Sequence, residues 1–265
     1  MNKLRLVKFF AGCLVCLVIV FSLGSSFAQE AKVAEGNRLF YQGNADYKEA
    51  KFQAAIDNYL KVLNLGLESG NLYYNLGNSY FKKGELGRAV LNYERALMLI
   101  PNDSDLKSNH EYVLSLLNLG QQSFENWLGK IANKLFADVS VNFLTVLLAF
   151  IYILALLALA SSLIFAQAKR SIKILFLILP VIFIILAISL NSKIVYLSKG
   201  AVVVSKEALV KFEPREEATT YFKLSEGSKV LVLDKTQNWY KVKRPDGKIG
   251  WMDKDKLGLI LDLTE

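Results

Sequence analysis

The spacing of hydrophobic residues divides the chain into three kinds of segment. Across residues 29–120, apolar side chains recur every three or four positions, which is typical of amphipathic helices. Residues 143–166 and 174–192 are uncharged apolar runs, about 36 and 28 Å long as helices and therefore long enough to cross a membrane. Beyond residue 200, short β-like runs alternate with turn signals. The pattern predicts a helical domain, a helical membrane hairpin and a small β domain.

The helical domain repeats itself at an interval of 34 residues. Residues 55–59 align with 89–93, and Gly43-Asn44 aligns with Gly77-Asn78. This interval, with small residues at helix crossings and tyrosines beside them, resembles the tetratricopeptide repeat. The second copy carries the whole pattern, namely Tyr73, Leu76, Gly77, Tyr80, Ala89, Tyr93, Ala96 and Pro101. We predict repeats at about 36–69 and 70–103, followed by a capping helix at 105–119, in a domain spanning 29–120.

The membrane hairpin has a short basic connection. Residues 167–173 contain Lys169, Arg170 and Lys173 and no acid, so the positive-inside rule places this loop in the cytoplasm and both flanking domains on the exported side. Ahead of the first span, the linker 121–142 carries apolar residues at helical spacing, with Lys130 and Lys134 between them. Two interpretations stay open: this helix lies on the membrane surface, or it caps the repeat array.

The C-terminal part has β-like runs at 201–205, 229–234 and 239–243. Its segments 224–227, 239–242 and 246–251, the last ending in Gly250-Trp251, resemble the bacterial SH3 family. The resemblance implies a small barrel at 200–265 that binds a peptide or the cell wall through aromatic side chains. The candidate surface residues are Trp239, Tyr240 and Trp251. In the alternative interpretation, Trp239 and Trp251 belong to a small core.

The N-terminus has the features of a secretory signal peptide at 1–28. Three basic residues precede an apolar run at 9–23, and Ser26 and Ala28 form a small-residue cleavage site. An uncleaved signal anchor is the alternative, and it gives the same topology. Both cysteines, Cys13 and Cys16, lie in this segment, so the mature chain would contain no thiol.

Composition and charge support an envelope protein. Hydrophobic residues make up 53% of the 265-residue chain, more than a purely soluble protein of this size needs. The net charge of +8 is densest beside the apolar runs, where it acts as targeting and topology charge. It forms no basic face, so we expect no nucleic-acid partner.

The order of these segments resembles the BatE proteins of the bacterial aerotolerance operon, over nearly the whole chain. The residues most like that family are 72–80 and 93–97. The resemblance implies a multidomain membrane protein with an all-α tetratricopeptide-repeat solenoid, a two-helix transmembrane hairpin and a small all-β SH3-like barrel. It also implies a bacterial inner membrane location with both domains in the periplasm, a role in stress tolerance, and partners that are membrane-anchored von Willebrand A-domain proteins and a MoxR-type ATPase system.

Function should reside in the concave face of the repeats. The candidate protein-binding residues lie on the first helix of each repeat, and they are Asn44, Tyr47, Lys48, Tyr74, Asn75, Asn78, Phe81 and Lys82. The alternative is a cell-wall or peptide-binding anchor that acts through the SH3-like domain. Besides partner proteins, the expected contacts of the chain are membrane lipid and peptidoglycan. We expect no catalysis, cofactor or metal, since His110 is the only histidine. We also expect the two modules, separated by the hairpin, to act independently.

Overall fold

The computed structural model describes residues 29–120, 124, 127–136, 138–164 and 169–261. The predicted signal peptide at 1–28 and residues 167 and 168 of the predicted loop lie outside this part of the chain. The described residues form two compact units, the first ending at Glu68 and the second beginning at Ser69.

The first unit is an antiparallel pair of helices, α1 (residues 29–48) and α2 (Phe52–Asn64). The turn between them passes through Ala50, which has a φ of 58°. Tyr59 of α2 packs against α1 where Gly43 leaves room, since a Cβ atom there would lie 2.6 Å from the Tyr59 ring. The Tyr59 hydroxyl donates a hydrogen bond to the side-chain oxygen of Asn44, 2.8 Å away.

The second unit begins with a helix pair of the same kind, one repeat interval further along the chain. Helices α3 (Gly70–Lys82) and α4 (Leu86–Leu99) pair closely, and α5 (Ser104–Leu116) packs against α4. Ser69 and Asp103 cap α3 and α5 by accepting bonds from the amides of Leu72 and Leu106. The residues predicted to pack between α3 and α4 are all buried, and they are Tyr73, Leu76, Gly77, Tyr80, Ala89, Tyr93 and Ala96.

Three further helices follow, α6 (Trp127–Leu135), α7 (Val141–Ile164) and α8 (Lys169–Lys199). Helices α7 and α8 pack side by side through Leu144, Ile151 and Leu186. Two segments of these helices, Val141–Leu159 and Ile178–Lys199, are long and apolar enough to cross a membrane by length and composition.

The bounds of α8 differ from the predicted bounds of the second apolar helix, 174–192. Residues 169–173, predicted as loop, are helical, and α8 continues past residue 192 to Lys199 before β1 begins at Gly200. The length of an uncharged run indicates how much of the chain is apolar enough to lie in lipid, and it does not indicate where the helix begins or ends. The helix itself continues through Lys, Arg and Ser because these residues do not interrupt helical hydrogen bonding.

Helix α6 packs against α8, whereas α5 covers the open side of α4. Both interpretations of the linker 121–142 stay predictions, and the contact with α4 belongs to α5. Helix α5 therefore closes the repeat.

The chain ends in a seven-stranded antiparallel sheet with the order β3-β2-β6-β5-β4-β1-β7. Its strands are β1 (Gly200–Val203), β2 (Glu207–Lys211), β3 (Thr220–Ser225), β4 (Lys229–Lys235), β5 (Trp239–Lys243), β6 (Ile249–Asp253) and β7 (Leu257–Leu259). The core beneath it includes Val210, Val242 and Met252, each fully buried. The three predicted runs correspond to β1, β4 and β5. Strands β2 and β3 carry charged residues on their outward face, so the apolar pattern did not reveal them.

The crossing of α3 and α4 predicts a sharp stability effect at Gly77. In Gly77→Ala, the new Cβ atom would lie 2.6 Å from the ring of Tyr93, which is buried and bonded to Asn78 and so cannot yield easily. We expect a loss of about 1–3 kcal/mol in the free energy of unfolding, typical of overpacking. Urea unfolding of the detergent-solubilised chain, followed by circular dichroism, measures it. Gly120→Ala, where no atom of the described residues lies within 4 Å of the new Cβ, is the matched control. Equal stability of the two variants would contradict close packing at this crossing.

Candidate partner surface and the docked C-terminal sheet

Helices α3 and α5 together form an outward surface that we call the α3–α5 surface, made of Tyr74, Asn78, Phe81, Lys82, Asn109 and Tyr112. The side-chain nitrogen of Asn109 lies 2.9 Å from the Tyr74 hydroxyl and 3.1 Å from the Asn78 side-chain oxygen. The rings of Phe81 and Tyr112 meet edge to face, with centroids 5.9 Å apart. Phe81 and Tyr74 are half-buried, while Lys82 and Tyr112 are exposed. The surface thus offers aromatic and cationic groups on a rigid, hydrogen-bonded base.

Two of the predicted binding residues hold helices together. The side-chain oxygens of Asn44 and Asn78 accept the hydroxyls of Tyr59 and Tyr93, at 2.8 and 2.7 Å. Their contact with a partner stays a prediction, but their substitution by Ala would cost structure, because it would leave a buried tyrosine hydroxyl without this acceptor.

The remaining predicted residues lie close to these two. In the first unit, Asn44 and Tyr47 are half-buried and Lys48 is exposed; the Tyr47 ring packs against Phe52 at 5.5 Å. In the second unit, Asn75 is half-buried, one helical position from Tyr74. Asn109 and Tyr112 were not predicted, since α5 was assigned only a capping role. Their spacing of three residues, which puts both on one helix face, was the available signal.

The opposite side of the repeat holds a buried carboxylate, Glu94 of α4, whose side chain is only 5% exposed. Its Oε1 lies 2.6 Å from the ammonium of Lys229 at the start of β4. Its Oε2 accepts a hydrogen bond from the hydroxyl of Tyr196 on α8, at 3.1 Å. Nε2 of His110 on α5 lies 3.0 Å from Oε1. We call these four residues the Glu94 cluster.

The Glu94 cluster keeps the carboxylate ionised. Burial of the Glu94 carboxyl opposes its ionisation, but the Lys229 ammonium and the His110 imidazole outweigh burial and hold the pKa well below its ordinary value of 4.5. Because the folded pKa is lowered, the stabilisation is present in full above pH 4.5 and is lost as pH falls below it.

Arg95, the next residue of α4, bonds to another strand. Its guanidinium donates to the carbonyl oxygens of Leu259 and Ile260, at 2.8 and 3.1 Å, at the end of β7. Strands β4 and β7 are the two neighbours of β1 in the sheet. Helix α4 therefore lies over β1 and is bonded to the strand on either side of it.

The first turn of α4 makes the closest approach to the sheet. The amide of Gly87 donates to the carboxylate of Glu226, in the turn between β3 and β4, at 2.7 Å. A carboxylate at this position also complements the helix dipole. A Cβ atom on Gly87 would lie 2.6 Å from the carbonyl oxygen of Val203 in β1, so only glycine allows this contact.

These contacts join two modules that the hairpin was expected to separate, whereas their independent action stays a prediction. A polar network and a close backbone contact join α4 to the C-terminal sheet. These contacts could not be predicted from the sequence, because partners more than 130 residues apart leave no periodic pattern.

The far side of the C-terminal sheet carries a cleft of about 410 Å³. The indole of Trp239 forms part of its wall and is largely buried, with the Lys211 ammonium 5.1 Å from the ring centroid. The lining charges are balanced, and they are Glu207, Lys211, Glu216, Lys223, Asp253 and Lys256.

The three predicted surface aromatics do not share one face. The pairs Trp239↔Asp253 and Lys241↔Trp251 put Trp239 and Trp251 on one face of the β5–β6 ladder, whereas Tyr240 packs against the core on the other. Trp251 and Tyr240 are half-buried, beneath Lys241 and Lys235 respectively. The cleft therefore combines Trp239 with charged residues that the sequence did not indicate.

In the part of the chain that the structure describes, no group of three or more His, Cys, Asp or Glu side chains is placed to hold a metal ion. A second cavity of about 330 Å³ lies beside the Glu94 cluster, lined by residues of α4, α5, α8 and the segment before α7. Its Ser140 hydroxyl accepts a hydrogen bond from the Phe143 amide at the start of α7.

Residues 70–103 match the family model of the tetratricopeptide repeat, and residues 210–257 match that of the bacterial SH3 domain. The first match spans α3 and α4, and the second runs from the end of β2 to the start of β7. No curated protein shows significant similarity to the chain. The predictions of a tetratricopeptide repeat and a bacterial SH3 domain are confirmed. The repeat suggests protein–protein interaction, and the SH3 domain suggests cell-wall binding.

The Glu94 cluster predicts that neutralising Glu94 strongly lowers the free energy of unfolding. Glu94→Gln removes the carboxylate that lies 2.6 Å from the Lys229 ammonium, whose side chain is 15% exposed. We expect a loss of about 3–5 kcal/mol in unfolding free energy at pH 7, typical of breaking a buried ion pair. Adding Lys229→Met should recover part of this loss. Denaturant unfolding of the solubilised chain measures both.

The control is Glu85→Gln, which removes a partly exposed ion pair with Lys83 and should cost about 1 kcal/mol or less. The difference between the native chain and Glu94→Gln should also shrink as pH falls below 4.5, because the Glu94 carboxyl of the unfolded chain then takes up a proton that the folded chain, with its lowered pKa, does not. A difference that stays constant between pH 7 and pH 3 would show that Glu94 is not the ionised partner.

Proposed function

We propose that the chain is a non-enzymatic, membrane-anchored scaffold on the exported side of the bacterial inner membrane, where its repeat domain binds another protein. The observation that carries this proposal is that one side of the second repeat is covered and the other is exposed. Its α4 side is covered by the C-terminal sheet, while the α3–α5 surface leaves Lys82 and Tyr112 exposed. Exposed aromatic and cationic side chains on a rigid base are typical of protein-binding surfaces.

The contacts of α4 support a common side for the two modules. The sheet follows α8 directly, and α4 bonds to the sheet through Lys229 and to α8 through Tyr196. If α7 and α8 cross the membrane, the repeat and the sheet stand together at one end of the hairpin. The basic residues Lys169 and Arg170 belong to the other end, and the positive-inside rule assigns that end to the cytoplasm.

The proposal of a non-catalytic role rests on how the reactive side chains are used. His110 contacts Glu94, which is itself engaged by Lys229 and Tyr196, and Ser140 is engaged at the start of α7. These groups carry out structural work in the folded chain.

The resemblance to BatE proteins extends the proposal to a stress-tolerance complex of the envelope. The partners would then be membrane-anchored von Willebrand A-domain proteins and a MoxR-type ATPase system. A surface held at a fixed place beside the membrane suits a partner that is itself anchored there.

The second candidate function is cell-wall binding through the C-terminal sheet. The cleft beside Trp239 favours it, because an indole wall with paired acids and bases suits a zwitterionic peptide such as the stem peptide of peptidoglycan. This function does not compete for the α3–α5 surface.

The scaffold proposal predicts that the double variant Lys82→Glu/Tyr112→Ala loses its partner without unfolding. Both side chains are exposed, but Tyr112→Ala also removes the ring contact with Phe81, so we expect a stability loss of about 0.5–1.5 kcal/mol. Truncating a central interface aromatic residue costs about 2 kcal/mol, so capture should weaken about tenfold or more. Crosslinked membranes, affinity purification and quantitative mass spectrometry measure capture. Lys206→Glu, an exposed charge reversal on the turn after β1, is the control and should capture normally.

Full capture by Lys82→Glu/Tyr112→Ala would contradict the scaffold proposal. In that case, sedimentation of the purified chain with peptidoglycan, lost on Lys211→Glu in the cleft but retained by Lys206→Glu, would support the wall-binding function instead.

The proposed topology predicts the location of three reporter fusions. Alkaline phosphatase should be active when fused after residue 120 or residue 261, because both points follow the modules on the exported side. A fluorescent protein inserted at Ser171 should fluoresce, because the hairpin tip would lie in the cytoplasm. A cytoplasmic reporter at residue 261 would be incompatible with the α4 contacts to Lys229, since the repeat and the sheet would then lie on opposite sides.

A further inference from the structure

Among the side chains of helix α6 that the structure describes, the large apolar ones are exposed and the small ones are buried. Its large apolar residues Trp127, Ile131 and Leu135 recur every four positions and are 69%, 54% and 65% exposed. Its small residues Gly129 and Ala132 are buried. A helix on the surface of a water-soluble domain does the opposite, since burial of large apolar side chains is what holds it there.

The small residues explain how α6 is held. Gly129 and Ala132 let its backbone lie close to α8, against which the helix packs. Past its end, Phe136 and Val139 pack against the cluster formed by Leu144, Ile151 and Leu186. The exposed row of large side chains therefore faces away from the helix that supports α6.

The position of α6 along α8 is fixed by a lysine. The ammonium of Lys193 donates to the carbonyl oxygens of Phe136, at 2.9 Å, and Val139. Lys193 is the first charged residue after the uncharged run 174–192. Helix α6 therefore lies at the level where the apolar surface of α8 ends.

Helix α7, which follows α6 in the chain, also begins with exposed apolar residues. Phe143 and Val146, in its first turns, are 59% and 67% exposed. Lys130 and Lys134, both exposed, lie beside the row on α6. An exposed apolar row that precedes a candidate membrane span in the chain and is bordered by lysines complements a bilayer surface that carries anionic head groups.

We propose that α6 is a lipid-binding helix that lies in the bilayer interface, with Trp127, Ile131 and Leu135 among the acyl chains and Lys130 and Lys134 at the phosphates. This inference rests on the proposed membrane crossing of α7 and α8. It adds a second, separate contact with lipid, which fixes the height and tilt of the repeat above the bilayer. A second copy of the chain is the competing occupant of this face.

The test uses nitroxide accessibility in the full-length chain. Cys13 and Cys16 are changed to Ser, and single cysteines are placed at Ile131→Cys or Leu135→Cys. The control is Tyr112→Cys on α5, whose native exposure of 55% matches the 54% of Ile131. Each labelled chain is reconstituted in vesicles of phosphatidylcholine and phosphatidylglycerol, floated on a density gradient, and checked by circular dichroism. Power saturation then compares collisions with oxygen, which concentrates in lipid, and with a water-soluble nickel chelate.

Labels at 131 and 135 should show an oxygen-to-nickel ratio several-fold higher than the label at 112. A ratio at both positions equal to that at 112, in chains that float with the vesicles, would overturn the lipid-binding role of α6 and leave the membrane anchor standing. Poor access of both reagents at 131 and 135 would overturn it in favour of a protein contact such as a second copy. Chains that fail to float would overturn both the anchor and this inference.

Discussion

The buried charge of Glu94 is the constraint on which the arrangement of the second unit depends. An ionised carboxylate removed from water costs several kcal/mol unless cations and donors replace its hydration. Here the replacements come from three other elements, with His110 on α5, Tyr196 on α8 and Lys229 on β4. None of these elements could move away without leaving an uncompensated charge. The second repeat, its closing helix, the end of α8 and the sheet are thus energetically one structure.

This dependence relates the repeat to the apolar helices. Tyr196 and Lys193 lie on α8 just beyond its uncharged run, and one bonds to Glu94 while the other bonds to the segment after α6. Both bonds are made at one end of α8, over a single helical turn. The α3–α5 surface is built on the far side of the same repeat, so its distance from the end of the apolar hairpin is set by short, directional contacts and does not depend on a flexible linker.

Contacts between elements that are neighbours in the chain could be predicted from the sequence, and contacts between elements far apart in the chain could not. The interval of 34 residues identified the packing of Gly77 against Tyr93, because the two helices are neighbours in the chain and their contacts recur. Uncharged length identified α7 and α8. Glu94 carries no such signal: an acid on an amphipathic helix normally faces water, and only the sheet and α8, about a hundred residues or more away, make it a buried residue. The α5 contribution to the candidate surface was missed for the related reason that a closing helix was considered only for its apolar face.

Glu94 and Arg95, which are neighbours on α4, show why charged residues as well as apolar ones join this helix to the sheet. Apolar contacts such as that of Leu91 stabilise the interface but tolerate small rotations, since they are non-directional. Adjacent residues on a helix point about 100° apart. Glu94 and Arg95 therefore extend to opposite sides of β1, where one meets the ammonium of β4 and the other the carbonyls at the end of β7. Rotation of α4 in either direction would lengthen one of these contacts. The orientation of the repeat on the sheet, and with it the direction in which the α3–α5 surface faces, follows from two neighbouring side chains of opposite charge.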